Sequence, residues 1–352
     1  MKMILTDFLE PYPKEISQSE NQYVRFYDSH YFYSPYATIS QKMVIKLASS
    51  SVENFTKNAP HSHKGSSITY GPYKDIAPKS VSPCVVHYLN NKPFAKLTKT
   101  EIDIEVSHWG QSSVEEIHEL MHTGAKLTGG FSRFDFQMKQ QASTPSFSQL
   151  SALLPSQAHS IYYRDQIGNI STSDMRMTEN GIELDTTTRF PLFGGWKTEF
   201  YLGYTIPTNS ILSVDSDTGR YTVKFDLFPV FSDMWVGELA LKLALPEGCA
   251  DISVHLPEGA GDWEQSWSRR FTYLDSHLNG GRPVLNLKGR NLVAELDSVA
   301  EISYSFTKTR MLVEPLMLIA CFFSVFAVSM LASRMGTVGG KSAVGDKEEW
   351  RD

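Results

Sequence analysis

One uncharged apolar run near the C-terminus constrains this chain more than any other feature. Pro315 to Ser333 reads PLMLIACFFSVFAVSMLAS and contains no charged side chain in 19 residues, which is long enough to cross the hydrocarbon core of a bilayer. Backbone groups inside lipid must satisfy each other's hydrogen bonds, so the run is expected to be helical. We therefore predict a transmembrane helix over 315–333. The alternative is the core helix of a water-soluble protein, which usually carries a polar stripe.

The predicted helix separates a large N-terminal body from a short tail, residues 334–352. Basic side chains are more frequent after the helix than before it: Lys308 and Arg310 precede it, and Arg334, Lys341, Lys347 and Arg351 follow it. Because Lys and Arg accumulate on the cytoplasmic side of membrane helices, we expect a cytoplasmic tail and a body that faces the lumen or the exterior.

Charge and cysteine content narrow the function further. The net charge of −6 and the lack of a basic run argue against a nucleic-acid partner. Cys321 falls within the apolar run, which leaves only Cys84 and Cys249 in the body. Two cysteines are no disulfide framework, so the sequence leaves their pairing open.

Apolar and polar residues alternate along much of the body. The segment EIDIEV at 101–106 and the segment LALKLAL at 239–245 both have the period of two that marks strands. After Gly181 this pattern continues to the apolar run. We predict a mainly β protein, with one or more β-sandwich domains followed by a C-terminal transmembrane helix. The polar stretches 49–73 and 138–151 are predicted to be loops.

The sequence HELMH, from His118 to His122, matches the HExxH motif of zinc peptidases. On a helix this spacing places both imidazoles on one side of a zinc ion, with Glu119 as general base. However, Thr123 and Gly124 would end a helix directly after the second histidine, and no Glu occurs between Glu119 and Glu179 to supply a later ligand. We interpret the match as incidental and predict no metal and no catalytic residue, with a membrane-anchored zinc peptidase as the alternative.

Two N-glycosylation sequons occur in the body. Asn54-Phe-Thr56 lies in a polar stretch, and Asn169-Ile-Ser171 follows Gly168 in a predicted turn. If the body is lumenal, Asn169 and Asn54 are the predicted glycosylation sites.

Six short segments together resemble the ribophorin I family, in order along the chain. They are YSPY at 33–36, VSHWG at 106–110, HTGA at 122–125, FSR at 131–133, YYRDQIGNIST at 162–172 and RFPLFGGWKT at 189–198. The family pattern includes His122 but not His118. Within RFPLFGGWKT, a Gly-Gly pair permits a tight turn and Trp196 offers a large apolar face, so we interpret this segment as a core turn rather than as a substrate-contacting loop.

The resemblance implies a non-catalytic, single-pass type I subunit of the endoplasmic-reticulum oligosaccharyltransferase complex. That complex transfers a preassembled glycan from a dolichol-linked donor to Asn in Asn-x-Ser/Thr. The implied partners are the catalytic multi-span subunit and the other subunits, with nascent polypeptides and the translocon as further candidates. No cofactor is implied. A generic single-pass adhesion or receptor sandwich stays as a second alternative.

The resemblance also sets the expected domain organisation. Residues 1–100 are expected to be the C-terminal portion of a first lumenal β-domain whose beginning, with the signal peptide, precedes Met1. Residues 101–308 are expected to form a second lumenal β-sandwich, followed by the helix at 315–333 and the tail at 334–352.

Overall fold

The computed structural model describes residues 3–138, 145–257, 259, 261–272, 275 and 280–338. Its N-terminal part consists of short strands: β1 (Glu10–Pro11), β2 (Glu15–Ser17), β3 (Tyr23–Ser29), β4 (Thr38–Lys46), β5 (Val52–Phe55), β6 (His61–Lys64), β7 (Ser67–Ile76) and β8 (Pro83–Leu89). All of them except β2 form two sheets, with strand orders β1-β3-β8-β5 and β4-β7-β6. Both sheets contribute to one buried apolar cluster, which includes Val24, Tyr70 and Val86.

Longer strands follow. They are β9 (Ala95–Glu105), β10 (Gln111–His122), β11 (Lys126–Thr128), β12 (Ser146–Leu154), β13 (His159–Asp165), β14 (Ser173–Thr178), β15 (Gly181–Phe193), β16 (Lys197–Pro207), β17 (Leu212–Val214), β18 (Tyr221–Asp226), β19 (Trp235–Ala244), β20 (Ala250–His255), β21 (Glu264–Arg270), β22 (Arg282–Leu292) and β23 (Val299–Ser305). The helix α1 (Arg133–Met138) precedes β12, and α2 (Val313–Val338) follows β23.

A seven-stranded sheet, in the order β13-β16-β10-β9-β19-β22-β21, is the main layer of this second part. Its strands bury alternate side chains, such as Ile102 and Ile104, in a second apolar cluster. The opposing layer consists of the sheets β12-β15-β14 and β17-β18-β23-β20, which supply Leu184, Val223 and Ile302 to the same cluster. The arrangement is two layers of sheet around one core, so the predicted mainly β fold is confirmed.

The two parts of the body are connected by polar contacts. β11 pairs in parallel with β2, and the Gln22 side chain accepts the Ala125 N–H at 2.8 Å and donates to the Asn90 carbonyl at 2.9 Å. β9 runs across the predicted domain boundary at residue 100, whereas the two apolar clusters separate between Tyr88 and Leu97. The division into domains stays a prediction.

The apolar helix is confirmed. A 3₁₀ turn over Lys308–Leu312 leads directly into α2. The apolar part of the segment Lys308–Arg334 is not buried against the body. It is long and apolar enough to cross a bilayer. Residues 339–352 of the predicted tail lie outside the described residues.

Both predicted loops were wrong in part. The stretch 49–73 contains β5, β6 and most of β7. In β6 all four side chains are exposed, so the strand has no apolar alternation to reveal it, and its pairing with β7 defines it. Of the stretch 138–151, residues 139–144 lie outside the described residues, and from Ser146 the chain forms β12 because it pairs with β15.

Candidate functional site

The HELMH motif lies on the strand β10, not on a helix. Strand alternation turns His118 and His122 into the core and Glu119 to the opposite face, where its carboxylate lies 3.5 Å from Lys197 Nζ. His118 Nε2 donates to Glu116 at 3.1 Å. The described residues contain no group of three or more His, Cys, Asp or Glu side chains that could hold a metal. The helical geometry on which the zinc alternative depends is not formed.

His122 instead belongs to a buried turn. Burial lowers the pKa of His122 to about 4, so its imidazole is neutral near pH 7. Nδ1 can therefore accept the Gly124 N–H at 3.0 Å. The ring lies on Phe147 with centroids 5.5 Å apart. These contacts give His122 a structural role in the turn.

The segments HTGA and RFPLFGGWKT pair with each other through their backbones. His122 N donates to the Trp196 carbonyl at 3.0 Å, and Gly195 N donates to the His122 carbonyl at 2.8 Å. A Cβ atom on Gly194 would lie 1.8 Å from the Ala125 carbonyl oxygen. Only glycine fits this approach of two backbones, which explains the residue at 194.

Aromatic rings surround this pair of segments. The Trp196 ring contacts Phe193 at 5.5 Å, Phe131 at 5.8 Å and Phe190 at 6.0 Å between centroids. Phe131 belongs to the FSR segment, so FSR and RFPLFGGWKT meet in one aromatic cluster, and HTGA is joined to them through its backbone hydrogen bonds to Gly195 and Trp196. The contacts are those of a packed turn, and they support the structural interpretation of RFPLFGGWKT.

A fourth segment, YYRDQIGNIST, is joined to RFPLFGGWKT by an ion pair. Arg189 Nη2 donates to Asp165 Oδ1 at 2.8 Å, and Oδ1 also accepts the N–H groups of Ile167 and Gly168. The hydrogen bonds from Arg189 are the largest cause that lowers the pKa of Asp165, to about 2. The charged Asp165 carboxylate therefore stabilises the hairpin turn, and Asn169 lies on this turn.

The two sequons differ in their surroundings. Asn169 and Ser171 are both exposed, next to Gly168, which has φ +149°. Asn54 is also exposed, but it lies within β5, opposite His87 of β8. The hydroxyl of Thr56 accepts the Val85 N–H at 3.0 Å, so the second sequon is part of a sheet edge.

The VSHWG segment lies elsewhere, where α2 leaves the body. Trp109 Nε1 donates to Glu314 Oε2 at 3.1 Å. Arg282, whose side chain is 13% exposed, lies 2.7 Å from Glu105, 3.0 Å from Asp275 and 3.5 Å from Glu314. Glu314 is in the first turn of α2, where a carboxylate also favours the helix dipole. This network fixes the start of the apolar helix to the main sheet.

His108 holds the VSHWG turn in place. Its ring stacks on Phe306 with centroids 4.2 Å apart and planes at 7°, and its edge contacts Tyr221 at 4.7 Å. Burial lowers the pKa of His108, so the neutral Nε2 accepts the Tyr304 hydroxyl at 3.0 Å. The turn is therefore rigid.

The two cysteines of the body and the YSPY segment lie neither in the aromatic cluster around Trp196 nor at the start of α2. Cys84 is buried in the first apolar cluster, and the Cys249 thiol donates to the Pro246 carbonyl at 2.9 Å. Both are free thiols, which answers the question of their pairing. The YSPY segment is on the surface, with Tyr36 78% exposed.

The roles of Arg282 and Glu314 were not identified from the sequence. The one feature of the sequence that could have indicated them is that Glu314 directly precedes the apolar run.

Comparison with known proteins gives one family. The profile described as Ribophorin I matches residues 1–333. One relative is the dolichyl-diphosphooligosaccharide–protein glycosyltransferase subunit 1B of Arabidopsis thaliana. It is 41% identical over 93% of this chain and 69% of its own length. The corresponding subunit 1 of Caenorhabditis elegans is 39% identical over 98% of this chain and 58% of its own length. The chain thus spans between just over half and about seven-tenths of such relatives.

Among solved structures, native leukotriene A4 hydrolase from Saccharomyces cerevisiae is similar over 61% of this chain and 30% of its own, with 11% identity and a TM-score of 0.36. A likeness this weak carries no argument about fold or chemistry.

Proposed function

The chain belongs to the ribophorin I family, and from this membership we propose that it is a non-catalytic subunit of the endoplasmic-reticulum oligosaccharyltransferase complex. One observation carries the proposal: the match runs from residue 1 to residue 333 and so includes both parts of the body and the apolar helix. Relatives near 40% identity are named as subunit 1 of that glycosyltransferase. The catalytic multi-span subunit is the proposed principal partner, and contact with nascent polypeptides or the translocon belongs to the same proposal.

The absence of catalysis by this chain is part of the proposal. In support of it, the acidic side chains of the HELMH strand and of the YYRDQIGNIST segment have structural partners. Asp165 is bound by Arg189, Glu116 by His118, and Glu119 lies beside Lys197 on a different face from His122.

Co-purification tests the proposal. A C-terminally tagged chain, extracted from membranes in a mild detergent such as digitonin, is expected to carry the catalytic oligosaccharyltransferase subunit in stoichiometric amount. The same tag on an unrelated single-pass protein of the same membrane is the control. An eluate that lacks the catalytic subunit, with the tagged chain intact, would contradict the proposal.

We further propose that the body is lumenal and the chain type I. The excess of basic residues after the helix favours this orientation. The exposed sequon at Asn169 is a second point in its support, because glycans are added only on the lumenal side.

Of the two sequons that the sequence predicts to be glycosylated, we now expect only Asn169 to carry an endoglycosidase-sensitive glycan. Asn169→Gln should abolish the mobility shift, whereas Asn54→Gln should leave it, because the sheet edge restrains the Asn54 sequon. Asn291→Gln is the matched control, since Asn291 is exposed but is not part of a sequon. The measurement is gel mobility before and after endoglycosidase treatment of the chain made in cells. An unmodified chain that is integrated in the membrane would speak against the lumenal body.

A further inference from the structure

Several connections of the fold converge where α2 begins. The loop 106–110 joins β9 to β10, the loop 245–249 joins β19 to β20, and the segment 306–312 joins β23 to α2. The Arg310 side chain packs against Gly248, and Arg282, at the start of β22, reaches Glu314. The end of the main sheet is therefore attached to the first turn of the apolar helix on several sides.

Large apolar side chains are exposed at this same end. Trp109 is 57% exposed, Leu312 is 54% exposed, and Phe271, directly after the last residue of β21, is 49% exposed. Arg270 of β21 pairs in register with Arg282 of β22, so Phe271 lies at the sheet end from which Arg282 contacts Glu314. Exposed aromatic and apolar side chains at one place on a protein surface mark a site of interaction with a membrane or with another protein.

The depth of Trp109 follows from its hydrogen bond. Its indole N–H lies 3.1 Å from Glu314 Oε2, and Glu314 directly precedes Pro315, where the uncharged run begins. If α2 crosses a bilayer, Glu314 marks the boundary between lipid and water, so the indole lies at that boundary too. Trp is enriched at this depth, because its ring is apolar and its N–H is polar.

The turn that presents Trp109 is rigid, so this position is built into the fold. Thr208 Oγ1 donates to the Ser107 carbonyl at 2.8 Å, and Thr208 N donates to the Gly110 carbonyl at 3.0 Å. His108 is stacked on Phe306 on the inner side. Two cationic side chains, Lys308 and Arg310, lie one to two turns before Glu314, where Lys and Arg can extend toward lipid phosphates.

We propose that the end of the β body formed by Trp109, Phe271 and Leu312 rests in the headgroup layer of the phospholipid bilayer that α2 crosses. The bilayer, rather than another protein, is the occupant because the apolar helix starts inside this surface. The proposal rests on the membrane span within the proposed function but does not depend on the orientation of the chain. It means that the main sheet is held at a fixed height and tilt above the membrane.

Quenching of tryptophan fluorescence by brominated lipid tests the proposal. The full chain is reconstituted into phosphatidylcholine vesicles in which part of the lipid carries bromine either close to the headgroup or near the chain ends. The wild type is compared with Trp109→Phe and with the matched control Trp235→Phe. Trp235 starts β19, at the opposite end of the sheet and roughly 30 Å away along a ten-residue strand.

The emission of Trp109 is the difference between the wild type and Trp109→Phe. We expect lipid with bromine near the headgroup to quench this emission at least twofold more strongly than lipid with bromine near the chain ends. The emission removed by Trp235→Phe should be unaffected by either lipid. As a second measurement, Phe271→Trp in the Trp109→Phe background should restore the headgroup-lipid quenching, so the result does not depend on one variant.

Two failures are distinguishable. Trp109 emission that is not quenched, in a chain that resists alkaline carbonate extraction, would overturn the proposal that this end of the body rests in the headgroup layer. The membrane span would not be affected by that result. If carbonate extracts the chain, the span itself is wrong, and with it both this inference and the membrane part of the proposed function.

Discussion

Gly194→Ala is expected to destabilise the body by about 3 kcal/mol or more, at the upper end of the range for overpacked cores. The added methyl group would lie 1.8 Å from the Ala125 carbonyl oxygen and 2.5 Å from the Ala125 carbonyl carbon. Both atoms are backbone, so no side-chain rotation can relieve the clash. Relief requires that the HTGA and GGW segments separate, which breaks the hydrogen bonds of His122 with Trp196 and with Gly195.

Thermal unfolding of the detergent-solubilised chain, followed by the fluorescence of its tryptophans, measures this loss. Gly130→Ala is the matched control, because a Cβ there meets no atom within 4 Å and its backbone is not in the left-handed region. We expect the control to change the unfolding free energy by less than about 0.5 kcal/mol. Equal midpoints for the two variants would show that the two segments do not approach as closely as described.

Phe323→Asp is expected to prevent most of the chain from integrating into the membrane. Phe323 lies at the middle of the apolar run and is 70% exposed, so an Asp side chain there would face the hydrocarbon of the bilayer. A central Asp costs about 2.5–3.5 kcal/mol on the insertion scale, and the lost Phe adds a few tenths. The total corresponds to a fall of roughly 100- to 1,000-fold in the insertion equilibrium, at about 1.4 kcal/mol for each factor of ten.

The fraction of chain that resists alkaline carbonate extraction measures integration. Phe323→Leu is the matched control and should integrate like the wild type, since both side chains favour the bilayer core. Wild-type integration of the Asp variant would mean that α2 does not cross the membrane as a single span.

The family segments gain a physical meaning from their places in the fold. Four of them meet in one region: FSR and RFPLFGGWKT share an aromatic cluster, HTGA pairs with RFPLFGGWKT through backbone hydrogen bonds, and Asp165 of YYRDQIGNIST binds Arg189. The fifth, VSHWG, fixes the start of the membrane helix. None of these arrangements brings acid, base and nucleophile together, and all of them position one element against another. That pattern agrees with a subunit whose proposed role is structural.

The apolar helix and the β character of the body were determined by the sequence alone. Both follow from local regularities: an uncharged run of sufficient length, and the alternation that strand geometry imposes on side chains with one buried face. Segments without that alternation were misjudged. β6 has four exposed side chains and β12 begins in a polar stretch, and each is a strand because a neighbour offers it backbone partners.

Tertiary structure decided everything that depends on distant residues. The HELMH match could be read as a helix until β9 and β16 paired with it on either side and made it a strand. Gly194 is required because a backbone 69 residues earlier passes against it. Trp109 and Glu314 are 205 residues apart in sequence. Their contact exists because the chain returns to the same end of the sheet, and no local pattern records where a chain returns.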